Sequence, residues 1–280
     1  MHQPNHKSYA LITGASRGLG KEIAEELAMR GINLLLVSLK NEGLADLGHQ
    51  LSKRNKIEVK HIEADLCESN TVFHIAEWAK AAGPVSILVN NAGMGGTYAF
   101  EQAPVEYIDN IIQLNIRATS LLTRLMLPVL KCQPSAYILN VSSLASFSPV
   151  AYKTVYPASK AFIWSFSRGL YEELKNTSVF VSVVHPGPMR TNADVTNRIA
   201  SQSLVGRLGV MSTRETATIA VNKLFARRTL IIPGFFNKVN WLMTKIFPLW
   251  LRLIVLSKVM KKEIRPFSVI INRTPVKHNL

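Results

Sequence analysis

Acid is in short supply in this chain of 280 residues: 18 Asp and Glu stand against 33 Lys and Arg, a formal net charge of +15. Cysteine is scarcer still. Cys67 and Cys132 lie in no CxxC or Cys/His cluster, which excludes a disulfide framework and a zinc motif, and no metal is expected. Two isolated thiols fit a reducing, intracellular compartment, so the cytoplasm is the expected location. The polar first eight residues lead into no apolar run behind a basic start, so no secretory signal is read there. No uninterrupted apolar stretch reaches the roughly 18–20 residues that a spanning helix needs. What is plentiful is hydrophobic side chain, 48% of the total, enough for a sizeable core and against wholesale disorder.

The positive charge is unevenly spread. From Arg207 to Leu280 there are 14 Lys and Arg and 2 Glu; the remainder carries 19 bases and 16 acids. A basic tail can meet nucleic acid, an anionic membrane or an acidic substrate, or form a solvated face. No nucleic-acid recognition module accompanies it, so no nucleic-acid partner is expected.

Short apolar runs alternate with longer amphipathic ones over the first two hundred residues. Strands are expected at 10–13, 33–37, 58–63, 86–90, 136–141 and 179–185, and helices at 19–30, 44–54, 70–82, 105–130 and 152–175. Several strands are apolar at consecutive positions, as strands covered on both faces are. The βα alternation predicts an α/β fold, a doubly wound parallel sheet with helices on both faces and right-handed crossovers. A further helix is expected at 213–227 and a last strand at 230–232. The expected division is one catalytic domain over 1–235, with a substrate lid at about 189–211, and a basic, apolar extension over 236–280.

Between the first strand and helix lies Thr13-Gly14-Ala15-Ser16-Arg17-Gly18-Leu19-Gly20. Glycines there permit positive φ and close approach of backbone N–H groups to a ligand, and the following helix aims its positive end at the same place. Alone, such a turn is as often an ordinary tight turn as an anion site. This one resembles the TGxxxGxG turn of the short-chain dehydrogenase/reductase family, and further marks of that family follow in order. Asn90-Asn91-Ala92-Gly93 resembles its NNAG segment, and Asp65-Leu66 the residues flanking the adenine. Asn115 stands where the family places a catalytic Asn. Ser143, Tyr156 and Lys160 match its Ser and YxxxK, and Pro186-Gly187-Pro188-Met189-Arg190-Thr191 its PGxxxT. The likeness covers about residues 8–191 and, loosely, 213–232.

That resemblance implies a Rossmann-like fold and a nicotinamide dinucleotide held by Gly14, Ser16, Arg17, Gly18, Leu19, Gly20, Asp65, Leu66, Asn91, Ala92, Gly93, Tyr156, Lys160, Pro186, Gly187 and Thr191. It implies a catalytic group of Asn115, Ser143, Tyr156 and Lys160. The chemistry is coherent. Hydride delivery to a carbonyl leaves an alkoxide that needs a proton, and a tyrosine can supply it if a cation lowers its pKa from near 10. Lys160, four residues on, shares a helix face with Tyr156. Ser143 can hold the substrate oxygen. In the family the Lys also contacts the nicotinamide ribose and the Asn supports a water chain to that Lys. Tyr171 and Lys175 make a second YxxxK, but Ala158 stands thirteen residues before Tyr171, where Ser143 precedes Tyr156. Ser142 is excluded by spacing alone. Pro157, directly after the tyrosine, is expected to bend a helix that starts near Tyr152.

NAD-specific relatives end the second strand with an acid. Here that position is Ser38, with Arg17 and Lys40 nearby and no carboxylate expected beside them, so NADP(H) is favoured over NAD(H). Met94, Phe147, Val150 and Met189 near the pocket mouth favour an apolar or lipid-like carbonyl or alcohol as substrate. A homo-oligomer is expected, as is common in the family. The stretch 241–256 reads as one amphipathic helix, with Trp241, Phe247, Trp250 and Leu251 on the apolar face. Packing on its own domain or on a second subunit is the favoured use of that helix; peripheral membrane contact through 236–262 is the alternative. A catalytically silent dinucleotide sensor is the rival function, weakened by the presence of both Tyr156 and Lys160.

Overall fold

A computed structural model of the chain describes residues 8–189 and 209–261. Seven parallel strands form its centre: β1 (Tyr9–Thr13), β2 (Asn33–Ser38), β3 (Val59–Glu63), β4 (Val85–Asn90), β5 (Ala136–Val141), β6 (Val179–Val184) and β7 (Leu230–Ile231). Their order across the sheet is β3-β2-β1-β4-β5-β6-β7. The helices between them are α1 (Gly18–Ala28), α2 (Leu44–Asn55), α3 (Thr71–Ala82), α4 (Val105–Ile111), α5 (Thr119–Lys131), α6 (Val155–Leu174) and α7 (Thr213–Phe225). Two more close the described chain, α8 (Phe235–Ile246) and α9 (Leu249–Lys261).

The consecutive apolar strand residues serve two cores. Ala10, Ile12, Leu34 and Leu36 face α1, α2 and α7, against Ile23, Leu27, Leu47 and Val221. Leu11, Leu35, Val37 and Leu88 face the other way, against Ile75 and Ala79 of α3 and Leu122 and Met126 of α5. Each fully buried leucine contributes about 1.5–3 kcal/mol. Successive strand residues point to opposite faces, so a strand covered on both sides must be apolar throughout. The chain leaves β1 on one side and β4 on the other, and the reversal opens a crevice at their carboxyl ends.

Three departures from the sequence expectation have local causes. The expected helix at 105–130 is α4 and α5 joined by a π-helical stretch, Ile112–Ala118, which carries Asn115. The expected helix at 152–175 begins at Val155, because Tyr152 has φ of 65° and ends the preceding turn. Pro157 is then the third helical residue, where no intrahelical N–H bond is lost, so it imposes no bend. The single helix expected at 241–256 is broken between α8 and α9. Pro248 disfavours helical backbone before it, and Phe247 is extended, at φ −83° and ψ 133°. Trp241 and Leu251 are half-buried, whereas Trp250 is 63% exposed, so the expected apolar face is divided. Most of the expected lid, 190–208, and the end of the extension, 262–280, lie outside the described residues, as does Thr191.

Candidate active site

The crevice over β1 and β4 is a cavity of about 790 Å³. Gly14 and Gly18 line its floor with φ of 66° and 58°, a left-handed backbone that glycine adopts without strain. Gly20 is not on the wall. It lies behind the turn, where an added Cβ would overlap the Gly14 carbonyl and the Asn91 amide, so it permits the helix to pack. Asn91 locks the same turn, donating from Nδ2 to the carbonyls of Thr13 at 2.9 Å and Gly14 at 3.0 Å. No side chain caps α1, whose Ncap residue is Arg17. Its first N–H groups are left without an intrahelical partner, as a pyrophosphate requires. Ser16, Arg17, Leu19, Ser38, Asp65, Leu66, Ala92, Gly93, Pro186 and Gly187 also line this cavity; Lys40 does not. The residues present therefore fit a dinucleotide.

At the ribose end the structure corrects one expectation. A carboxylate does approach Ser38 and Arg17: Glu42 lines the cavity, pairs with Arg17 at 3.1 Å and accepts a short hydrogen bond from Ser16. Glu42 lies beyond the end of β2, past the position that carries the acid in NAD-specific relatives, and the turn after Lys40 folds it back to Arg17.

At the other end stand the residues of the expected catalytic group. Ser143 and Tyr156 are hydrogen-bonded to each other. Burial raises the Tyr156 pKa above 10, and the Ser143 bond offsets that only in part, so the phenol is protonated at neutral pH. Burial also drives the Lys160 ammonium down to about 8. Its Nζ donates to the Val141 carbonyl at 3.0 Å and lies 5.9 Å from the Tyr156 ring centre. The expected lowering of the tyrosine by its lysine is not found: burial raises the phenol, and Ser143, not Lys160, is the group that opposes it. Asn115 is buried beside them and off the cavity wall. Its Oδ1 accepts from Met94 N at 3.0 Å, and its Nδ2 donates to the Met94 carbonyl and the Ser159 hydroxyl, both at 2.9 Å. A π turn brings an extra residue into the helix, a feature frequent at functional sites.

The rival residues have partners of their own. Ser142 gives its hydroxyl to the Lys160 carbonyl at 2.8 Å, whereas Ser143 faces the tyrosine. Tyr171 packs edge-on against Phe180 at 5.6 Å, and Lys175 pairs with Glu172 at 3.1 Å.

Two residues were not anticipated. Gly95 lies flat against the Tyr156 ring, and an added Cβ would stand 2.8 Å from Cγ. Gly95→Ala is therefore expected to push the phenol aside and lower turnover about a hundredfold, with the fold retained by circular dichroism. His185, directly after β6, is fully buried. Its Nδ1 lies 2.9 Å from the Ser146 hydroxyl and 3.1 Å from the Ser143 carbonyl, while the buried Nε2 has no hydrogen-bond partner among the described residues. Its only sequence signal was adjacency to Pro186-Gly187.

A second cavity of about 790 Å³ shares Ser143, Lys153, Tyr156, Pro186, Gly187 and Met189 with the first. Leu144, Val150, Met243, Phe247, Leu251 and Val255 form its apolar walls. The polar cradle and the apolar chamber thus meet at the Ser143 and Tyr156 hydroxyls.

Comparison with known proteins agrees with this geometry. The family model described as short chain dehydrogenase matches residues 8–202. The very-long-chain 3-oxoacyl-CoA reductase-A of Danio rerio is 36% identical over 187 residues, 65% of this chain. The chain spans only 58% of that relative's length. A short-chain dehydrogenase from Sphingobium yanoikuyae in complex with NADPH superposes with a TM-score of 0.75 at 28% identity, covering 93% of this chain and 97% of its own. A short chain dehydrogenase/reductase from Burkholderia phymatum in complex with NAD gives a TM-score of 0.71 at 25% identity, covering 80% and 88%. The fold is therefore one that holds a nicotinamide dinucleotide, and its solved members include both forms.

Proposed function

The chain belongs to the short chain dehydrogenase family, and on that premise we propose that it reduces the carbonyl of an apolar, lipid-like substrate with NADPH. One observation carries the reading: the Ser143 and Tyr156 hydroxyls stand where a dinucleotide-sized cradle opens into an apolar chamber. The nicotinamide, when bound, supplies the hydride. Ser143 donates to the substrate oxygen and holds it at the tyrosine. Tyr156, protonated at neutral pH, delivers the proton that the developing alkoxide needs. Lys160 holds its charge against the Val141 carbonyl, beside the tyrosine ring, and Asn115 secures the Met94 backbone opposite. The catalytic unit is 1–235, with 236–280 as its extension.

The test is loss of 340 nm absorbance from NADPH and, in parallel, NADH, across ketones and aldehydes from short to long-chain and steroid-like. Turnover of the bulky apolar members with NADPH supports the proposal. Absence of NADPH binding by titration overturns it.

The preference for NADP(H) rests on Arg17 and Ser38, with Glu42 acting against it. Glu42 repels a 2′-phosphate and occupies the Arg17 guanidinium. Glu42→Gln is expected to improve kcat/KM for NADPH relative to NADH about tenfold, the scale of one charge-assisted contact. An unchanged ratio would mean that the phosphate is not read at Arg17.

No helix among the described residues is long and apolar enough to cross a membrane. We further propose peripheral contact through α8 and α9. Phe235, Ile246, Trp250 and Val255 are exposed there beside Lys238, Lys245, Lys258 and Lys261, and neither helix contains an acid. An anionic lipid surface complements that charge; a second copy of the same face would oppose it. Flotation with anionic vesicles at low salt is expected to carry the protein. If it does not, the homo-oligomer becomes the occupant of this face.

A further inference from the structure

Two residues that line the apolar chamber each carry a buried donor that nothing in the described protein satisfies. Arg252 of α9 lines it; one guanidinium nitrogen, Nη1, donates to the Phe147 carbonyl at 2.9 Å. Its Nε is enclosed and has no hydrogen-bond partner. Ser148, the residue after that carbonyl, also lines the chamber, is 8% exposed, and buries a hydroxyl that is likewise unpartnered. Leaving a buried donor unmade costs about 1–3 kcal/mol, more when it is charged. Both belong to residues of the chamber lining, which also includes Lys153, Asn240 and Thr244, and buried donors are seldom left without an acceptor to meet them. No Asp or Glu is among the residues lining the chamber.

We propose that Arg252 and Ser148 form a subsite for an anionic oxygen group, a carboxylate or a phosphate, carried by the substrate away from its carbonyl. The inference rests on reading Ser143 and Tyr156 as the reducing end of the same chamber. It narrows the substrate from an apolar ketone to an amphiphile with its carbonyl at Tyr156 and its charge at α9. The guanidinium fork suits planar oxyanions, and the apolar surroundings strengthen the pairing by excluding water. Arg252 also explains why α9 carries a base on its chamber side: the Phe147 carbonyl fixes the guanidinium, so a ligand meets a donor already in place.

Calorimetric titration of the full chain with NADPH present would use decanoate and decanol, which share a tail and differ in charge. Wild type is expected to bind decanoate about tenfold more tightly, and Arg252→Gln to remove that difference while leaving decanol within about threefold. Ser148→Ala, a smaller change, is expected to weaken decanoate alone by about threefold, and it decides the matter if Arg252→Gln does not fold. Decyl phosphate in place of decanoate tells which oxyanion the fork prefers, tighter binding of either one supporting the subsite. Equal binding of decanoate and decanol by wild type, or a preference that survives Arg252→Gln, overturns it. Turnover separates this inference from the reaction assignment. A medium-chain oxo acid should be reduced with a lower KM than its methyl ester, and Arg252→Gln should raise the KM for the acid only, at unchanged kcat. If neither is reduced while the decanoate preference stands, the reductase reading fails and the anion subsite remains.

Discussion

Tyr156→Phe is expected to lower carbonyl reduction about 10²–10⁴-fold while NADPH affinity changes less than about threefold, the range over which a positioned general acid contributes. The substitution removes one oxygen and little else. The ring packs against Gly95 and beneath Lys160, contacts that phenylalanine keeps. The loss should appear in kcat and kcat/KM together, because the proton is needed only as charge develops on the substrate oxygen. Ser143→Ala should act in the same direction, and the two should be strongly non-additive, since the hydroxyls are bonded to each other. A Tyr156→Phe variant that turns over at the wild-type rate would remove the tyrosine from the mechanism. Stopped-flow absorbance at 340 nm with a single substrate decides between these results.

Acid is expected to destabilise the protein through His185. Desolvation, reinforced by the nearby Lys160 charge and only partly opposed by the Ser143 carbonyl, lowers its pKa from 6.5 to about 4. A pKa depressed on folding gives stability that is complete above the unfolded value and is lost as pH falls toward the folded one. The window is therefore pH 6.5 down to about 4. At about 1.4 kcal/mol per pKa unit the loss is about 3 kcal/mol, a large part of the 5–15 kcal/mol typical of a domain. His185→Asn keeps a donor toward Ser143 and has no charge to gain. Its urea midpoint should be lower than wild type at pH 7 yet should fall less between pH 7 and pH 4.5. Parallel curves for the two proteins would mean that another group governs the acid limb. The imidazole lies tilted at 30° over Phe147 at 4.5 Å and is set edge-on to Trp164 at 5.1 Å. Protonation would place a cation in that cage with one nitrogen unpartnered, and the strand end that carries Ser143 would loosen with it.

How much of this was legible beforehand follows from the range of each interaction. Strands β1 to β6 and their helices were readable because burial on both faces demands consecutive apolar residues, a local pattern. The phosphate turn was readable because positive φ at Gly14 and Gly18 needs glycine, and Tyr156 with Lys160 because helical spacing joins them. The βα alternation implied a doubly wound parallel sheet, but the order β3-β2-β1-β4, and with it the place of the crevice, came from the structure. Glu42 and Arg252 were not readable. Glu42 reaches Arg17 because a turn after β2 folds back, and Arg252 reaches Phe147 across 105 positions because Pro248 breaks the helix that carries it. Nor could spacing show that Ser142 is spent on the Lys160 carbonyl, that Asn115 sits in a π turn, or that burial would raise the Tyr156 phenol with Ser143 as the group opposing it. Sequence alone determined the residue types and the period of most principal elements, because those depend on neighbours within a turn or a strand. Only the tertiary structure decided which polar groups are satisfied and which are left facing the chamber, because desolvation and hydrogen bonding depend on atoms that the chain brings together from far apart.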